Sequence, residues 1–173
     1  ATRIFTGTDG MEKFFPSGKI MVTGNPVRAS IASSVTSRSE GIRFFSLDEA
    51  KKTVMVVGGS LGAKSINEAI DAGLDSLLDA GLQLIWQTGK PYAEKANKRV
   101  KDKIGVWAGE FITQMEFGYA AADVVVARAG AMTVSELCVA KKPVVFIPYP
   151  YAAEDHQTVN AMQLVKKNAA LIV

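Results

Sequence analysis

The chain has 173 residues, of which 48% are hydrophobic and 21% charged, and its formal net charge at pH 7 is +3. This composition is ordinary for a globular protein that buries its own core. The basic residues are dispersed among acidic ones, as in KANKRVKDK at 95–103, which indicates a solvated helix face and argues against a nucleic-acid partner. Every apolar run is interrupted before the roughly 18 residues that a membrane span needs, so no transmembrane helix is expected.

The first 52 residues differ in sequence pattern from the rest of the chain. We interpret 1–18 as the tail of a preceding domain, since the chain lacks an initiator methionine and reads as an excised piece of a longer protein. We interpret 19–52 as a hinge or linker and the start of the next domain. It contains a possible strand at 19–23, the turn signal GNP at 24–26 and a polar, Ser-rich stretch at 31–48.

From residue 53 onward, short β-branched runs alternate with helical patterns, which is typical of βαβ units. Strands are predicted at 54–57, 82–86, 105–108, 123–127, 144–147 and 170–173. The helix after the first strand has an apolar stripe that Gly81 ends: Ile66, Ala69, Ile70, Gly73, Leu74, Leu77 and Leu78. The pattern predicts an α/β fold, a Rossmann-like doubly wound parallel sheet of about six strands.

Ligands of such sheets bind beyond the carboxyl ends of the strands, and the loop GGSLGA at 58–63 lies at one of them. Its glycines would let backbone amides approach an anion, and Ser60 adds a hydroxyl; the alternative is a tight turn without a ligand. A dinucleotide fingerprint would need glycine at Val57 and an acid at Gln87, and a P-loop would need glycine at Ala63. Both of these loops are therefore disfavoured.

The stretch ARAGAMTVSEL at 127–137 supports two interpretations. On a helix, Thr133 and Glu136 share one face, where the carboxylate would suit vicinal ribose hydroxyls, while Thr133 and the amides near Gly130 would suit a phosphate. The same T-x-x-E pattern is a capping box, in which both side chains cap the helix. A further hypothesis is that Glu136 caps the empty helix and turns to the ribose when a nucleotide binds.

Cys138 is the only cysteine. Its helical spacing from Val134 and Leu137 predicts that all three face the sheet, with Cys138 a buried apolar residue in a reducing compartment. A catalytic thiol is disfavoured because no charged residue is adjacent and the one histidine is far off in sequence.

The loop PYPYAAEDHQTVNA at 148–161 is long and polar, which favours a functional role. Gln157 and Asn160 can donate to and accept from sugar hydroxyls, although Asp155 could simply cap the next helix. His156 lacks a second imidazole or thiolate nearby, so no metal site is expected. Arg28, after the GNP turn, is either a surface arginine or a cation near a diphosphate.

Five motifs occur in a fixed order: TGNPVR (23–28), GGSLGA (58–63), EFI (110–112), RAGAMTVSEL (128–137) and AEDHQTVNA (153–161). With DGMEKFFP at 9–16, this set resembles the nucleotide-sugar-binding half of the MurG-type transferases. These are the bacterial UDP-N-acetylglucosamine:N-acetylmuramyl-(pentapeptide) pyrophosphoryl-undecaprenol N-acetylglucosaminyltransferases. The resemblance implies one half of a two-domain GT-B enzyme at the cytoplasmic face of the bacterial membrane. The family transfers GlcNAc from UDP-GlcNAc, with inversion, to the muramyl 4-hydroxyl of lipid I, giving lipid II for peptidoglycan.

The resemblance also implies which residues contact the donor: Arg28, Ser60, Ile112, Gly130, Ala131, Met132, Thr133, Glu136, His156, Gln157 and Asn160. By motif, Glu136 would hold the ribose and the backbone of Ile112 the uracil edge. Ser60, Thr133 and the first amides of the helix would contact the diphosphate. Gln157, with His156 and Asn160 nearby, would bind the GlcNAc hydroxyls. Met132 stands where leucine is commoner in the family, and His156 where some members have glutamine.

The family needs no metal or other cofactor, because a helix N-terminus supports the departing UDP. Its acceptor site, general base and main membrane-docking surface lie in the other half, so no catalytic residue is assigned in this chain. Donor binding without turnover is the expectation for the chain alone. Two alternatives remain: another GT-B UDP-sugar enzyme, such as a lipid glycosyltransferase or an epimerase, and a non-catalytic donor-binding subunit.

Overall fold

A computed structural model describes residues 1–152 and 155–173. Two short 3-10 turns, Met11–Lys13 and Ser17–Lys19, lie between the first two strands. The strands are β1 (Ile4–Thr6), β2 (Ile20–Val22), β3 (Thr53–Val57), β4 (Gln83–Gln87), β5 (Val106–Gly109), β6 (Val124–Ala127), β7 (Val144–Phe146) and β8 (Leu171–Ile172). The helices are α1 (Ala29–Ala32), α2 (Arg38–Phe44), α3 (Lys64–Asp79), α4 (Lys90–Val100), α5 (Met115–Ala121), α6 (Ala131–Ala140) and α7 (His156–Val165).

The main sheet has six parallel strands in the order β5-β4-β3-β6-β7-β8. Each lies where the sequence predicts a strand, with ends that differ by at most one residue, so the α/β sheet is confirmed. From β3 to β5, each new strand along the chain is added toward one edge of the sheet. From β6 to β8, each new strand is added toward the opposite edge. The direction reverses between β3 and β6, and the loops after these two strands therefore flank a crevice at the carboxyl edge.

The sheet separates two apolar cores because successive side chains of a strand point to opposite faces. On one face, Met55, Ile85 and Val125 pack with residues of α2, α5, α6 and α7. On the other face, Val56 and Trp86 pack with residues of α3 and α4. Helices thus cover both faces, as a doubly wound sheet requires.

Helix α3 buries a narrower stripe than the sequence predicts. Ile66 and Leu74 are buried, whereas Ala69 and Gly73 are exposed because these small residues lie at the edge of the stripe. Gly81, with φ of +77°, follows the helix end as predicted. At 16 residues α3 is the longest helix in the described ranges, and none of those helices is long and apolar enough to cross a bilayer.

The polar stretch at 31–48 is more than a linker. A capping box between Ser37 and Glu40 begins α2, which packs against α5. Ile42 and Phe45 are buried in the first core. The Ser-rich flank hides this helix in the sequence, because its amphipathic part is only two turns long. Before it, β1 and β2 form a separate parallel pair of three residues each. The proposed boundaries at residues 18 and 52 stay predictions.

Candidate functional site

A cleft of about 890 Å³ opens between the loops that follow β3 and β6. Of the residues predicted to contact a donor, Gly130, Thr133 and Gln157 line it. Ser60 lies exposed in the first of these loops, and Ala131 and Met132 are exposed in the first turn of α6. The cleft thus brings together parts of three predicted motifs at the point where the strand order reverses.

The glycines of the 58–63 loop are required by its backbone. A turn closes where the N–H of Gly62 donates to the Gly59 carbonyl, at 3.0 Å. Gly62 has φ of +75°, and a Cβ there would lie 2.0 Å from the carbonyl oxygen of Thr88. The tight-turn alternative therefore accounts for the glycines, and their number alone does not indicate a ligand. A phosphate contact from Ser60 stays a prediction.

Gln87, at the end of β4, ties two loops of the site together. Its Nε2 donates to the Gly59 carbonyl at 3.0 Å, and its Oε1 accepts from the backbone N–H of Ile112 at 2.9 Å. Gln87 and Ile112 are both buried. The N–H of Ile112 already has this partner. The predicted contact with uracil would therefore use the carbonyl of Ile112, unless Gln87 moves.

Helix α6 starts too early for the predicted capping box. Gly130 is the N-cap residue, so Thr133 is the third helical residue and Glu136 lies one turn further in. In the described part of the chain, no side chain makes a capping hydrogen bond at this N-terminus. The capping-box alternative is therefore wrong. The amides of residues 131–133 lack partners within the helix, and they stand at its positive end.

Glu136 is 6% exposed and has two side-chain partners. Arg28 contacts its Oε1 through Nε at 3.0 Å and Nη2 at 2.9 Å, and the Tyr119 hydroxyl donates to its Oε2 at 3.0 Å. Burial first, and the Glu136 charge second, raise the pKa of Tyr119 well above its ordinary value, so the hydroxyl keeps its proton. Glu136 thus does not cap the helix, and that part of the hypothesis is wrong. The sequence indicated Arg28 but not Tyr119.

The polar residues of α7 hold the neighbouring loops. Gln157 Oε1 accepts from the Tyr149 N–H, and Asn160 Nδ2 donates to the Ala129 carbonyl, both at 3.0 Å. His156 is exposed at the first residue of the helix. Asp155 is the N-cap residue, but its carboxylate accepts from the Thr158 hydroxyl instead of capping.

The rest of the predicted Glu-Asp-His-Gln cluster, with the start of the AEDHQTVNA motif, falls on residues 153 and 154, outside the described residues. Within the described ranges, no group of three or more His, Cys, Asp or Glu side chains is arranged to hold a metal ion.

Arg128 is a cleft residue that sequence reasoning missed. Its Nη1 donates to the carbonyls of Ile147 and Pro148 at 2.9 and 2.7 Å, and its Nη2 donates to Ser65 Oγ at 3.0 Å. Its guanidinium also lies 5.5 Å from the Tyr149 ring centroid. Burial lowers the pKa of Arg128, yet arginine remains charged in proteins. Its position directly after a predicted buried strand could have indicated it. A residue at that position lies at the carboxyl edge of the sheet, where its charge faces the crevice.

Cys138 is exposed, contrary to the prediction. Leu137 is buried as expected, but Val139 is also exposed although it is apolar. Because α6 carries apolar residues around most of its circumference, apolar spacing alone does not identify the face that packs on the sheet.

Comparisons with known proteins agree with the predicted resemblance. Residues 53–173 match the glycosyltransferase family 28 C-terminal domain. The whole chain is 49% identical to the UDP-N-acetylglucosamine–N-acetylmuramyl-(pentapeptide) pyrophosphoryl-undecaprenol N-acetylglucosamine transferase of Parabacteroides distasonis, covering 48% of that protein. It is 46% identical to the protein of the same name from Flavobacterium psychrophilum, covering 47% of it. The chain thus spans about half the length of these relatives.

Solved structures give the same result. The crystal structure of Acinetobacter baumannii MurG is 32% identical and superposes with a TM-score of 0.68, over 92% of this chain and 45% of that one. WaaG, a glycosyltransferase involved in lipopolysaccharide biosynthesis, is 17% identical with a TM-score of 0.61, over 98% of this chain and 48% of that one, which shows a shared fold only. The sheet is therefore one half of a GT-B glycosyltransferase, and the chain is a homologue of MurG. Since the family match covers most of its length, the chain belongs to glycosyltransferase family 28 and carries the C-terminal domain of that family.

Proposed function

We propose that this chain is the UDP-GlcNAc-binding domain of an inverting N-acetylglucosaminyltransferase that converts lipid I into lipid II in peptidoglycan synthesis. The observation that carries the proposal is the position of the α6 N-terminus. It opens, without a side-chain cap among the described residues, into the cleft where the strand order reverses. The names of the relatives support the reaction, since they describe transfer of N-acetylglucosamine to a muramyl-pentapeptide lipid.

In this proposal the diphosphate of the donor lies against the first turn of α6. The N–H groups of residues 131–133 and the helix dipole stabilise the negative charge that develops on UDP as the glycosidic bond breaks. Arg128 adds a fixed positive charge in the same cleft. These groups support the leaving group without a metal ion. Glu136 holds the ribose hydroxyls, and Gln157, which lines the cleft, orients the GlcNAc.

The remaining functions of the enzyme are proposed to lie in the other half of the parent protein. That half binds lipid I, supplies the general base for the muramyl hydroxyl and makes the main contact with the membrane. The parent would then be a peripheral protein on the cytoplasmic side of the bacterial inner membrane. The 173-residue chain alone is expected to bind the donor without transferring its sugar.

Calorimetric titration with UDP-GlcNAc, UDP and NADH tests the proposal. We expect heat with both uridine ligands and none with NADH, because the loops lack the dinucleotide fingerprint. Binding of NADH alone would contradict a UDP-sugar site.

A competition series of UDP-sugars separates this function from another GT-B enzyme or an epimerase. Gln157→Ala is expected to remove the preference for UDP-GlcNAc over UDP-glucose while UDP still binds. Gln163→Ala changes an exposed glutamine on the same helix and serves as the matched control. An unchanged preference in Gln157→Ala would show that another residue selects the sugar.

A further inference from the structure

Glu136 is held by one fixed partner and one movable partner. Tyr119 is 4% exposed, and its ring packs in the core on the α5 side of the sheet. The side chain of Arg28 is 47% exposed, and it follows a Gly-Asn-Pro turn near the start of α1. A ligand that reaches the carboxylate can therefore displace Arg28 from Oε1, whereas the core prevents the same movement of Tyr119.

The two partners also leave the carboxylate able to bind a diol. Each oxygen of a carboxylate accepts about two hydrogen bonds, and the tyrosine hydroxyl uses only one position, on Oε2. Vicinal hydroxyls need both oxygens presented together at a fixed angle. A glutamate side chain has three rotatable bonds, so its orientation must come from a partner that remains bound when Arg28 moves.

We propose that Tyr119 is a positioning residue for nucleotide recognition: its buried hydroxyl holds Glu136 in the orientation that accepts both hydroxyls of a ribose. This inference rests on the proposed function, because it takes a uridine nucleotide as the ligand. In this inference Arg28, which contacts Oε1, moves aside when the ribose binds. Tyr119 itself touches no ligand.

Calorimetry of the 173-residue chain with UDP and with 2′,3′-dideoxy-UDP tests the proposal. Tyr119→Phe removes one oxygen atom and keeps the ring, so the fold should be retained, as thermal melting will show. We expect the variant to bind UDP about fivefold to tenfold more weakly, the effect of one lost hydrogen bond, and to bind the dideoxy nucleotide within about twofold of wild type.

Tyr92→Phe is the matched control, because it also removes a hydroxyl that donates to a carboxylate, Asp71 Oδ2 at 2.8 Å, but between α3 and α4. It should leave the ratio of the two affinities unchanged. An equal loss for both nucleotides in Tyr119→Phe, or no loss for either, would overturn the role of Tyr119 while leaving the UDP site intact.

Arg28→Ala gives a second measurement that does not depend on the stability of Tyr119→Phe. Since Tyr119 still orients Glu136 in this variant, the preference for UDP over the dideoxy nucleotide should persist even if both bind more weakly. Loss of that preference would identify Arg28 as the orienting residue and overturn the inference. If the wild-type chain binds no UDP, the proposed function fails, and this inference fails with it.

Discussion

Glu136 shows what residue type and spacing can reveal and what they cannot. Its place three residues after Thr133 indicated a shared helix face, but only Thr133 lines the cleft, whereas Glu136 is buried beside Arg28 and Tyr119. Its partner Tyr119 was not predictable, because that residue comes from α5, and the packing of α5 beside α6 follows from the tertiary fold. Arg128 directly follows a buried strand, but its contacts were not predictable, because the carbonyls of Ile147 and Pro148 and the Ser65 hydroxyl are brought to it by the tertiary fold.

Removing Arg28 should destabilise the fold, because Glu136 would keep a buried charge with Tyr119 as its one remaining side-chain partner among the described residues. We expect Arg28→Ala to lower the free energy of unfolding by about 1–2 kcal/mol at neutral pH, less than for a fully buried pair since Arg28 is half exposed. Urea denaturation measures the change. Arg43→Ala, at an exposed position on α2, is the control, and equal effects of the two substitutions would contradict a stabilising role for the ion pair.

At the level of elements, the sequence located the six strands of the main sheet because their β-branched runs are short and separated by longer helical patterns. It left the start of α6 open. Interpreted as a capping box, the T-x-x-E pattern would place the N-cap at Thr133, three residues too late, because Gly130 provides the N-cap without any side-chain signal. The residues that hold α2 in place, Ile42 and Phe45, lie among serines and charged residues that suggested a linker.

Two glycines near α3 should respond oppositely to alanine. Gly62→Ala forces a Cβ against the Thr88 carbonyl at a positive φ, so we expect a loss of about 2–3 kcal/mol in unfolding free energy. Gly73 lies in the middle of α3, and no described residue outside its own helical turn comes within 4 Å of the place that a Cβ would take. Gly73→Ala should therefore gain about 0.5–1 kcal/mol. Denaturant midpoints measure both changes in stability. A loss of stability in Gly73→Ala would contradict the open space around this position.

The contact between α3 and α4 should weaken in acid. Arg99 and Lys103, which hydrogen-bond to Asp75 at 2.8 and 2.6 Å, lower the pKa of its carboxyl to about 2. This pKa lies below the pKa of about 4 that an aspartate has in the unfolded chain. The stabilisation by the ion pairs is therefore complete above about pH 4 and disappears as the pH falls towards 2.

Asp75→Asn should therefore be less stable than wild type at pH 7, and the gap should close between about pH 4 and pH 2. Thermal unfolding across this range provides the measurement. Asp9→Asn, at an exposed position near the N-terminus, controls for the general effect of removing a carboxylate. A gap that stays constant with pH would exclude the ion pairs as its cause.

For the whole molecule, the fold class could be predicted because the alternation of strands and helices extends over most of the chain. The composition of the cleft could be predicted only in part. Parallel strands bring their carboxyl ends to one edge, which placed Gly130, Thr133 and Gln157 together. The spacing between the loops depends on side chains such as Gln87. Its hydrogen bonds to Gly59 and Ile112 join two loops that are far apart in the sequence, so they follow only from the fold.

The two sheets should differ in local stability. The β1–β2 pair has three residues in each strand and exposes Phe5, Met21 and Val22, whereas Met55, Leu84 and Ile85 in β3 and β4 are fully buried. Hydrogen exchange followed by mass spectrometry should show rapid exchange in the first pair and the slowest exchange in β3 and β4. Similar protection in both sheets would mean that the N-terminal pair unfolds together with the main core.

The ion pair between Arg28 and Glu136 joins residues separated by 108 positions in the chain. During synthesis at about 5–20 residues per second, Arg28 leaves the ribosome roughly 5–20 s before its partner does. The segment around Arg28 must therefore wait until β6 and α6 have been made before it can dock. A nascent chain that stops before α6 would leave this arginine without its carboxylate, so this ion pair can form only in the last part of synthesis of these 173 residues.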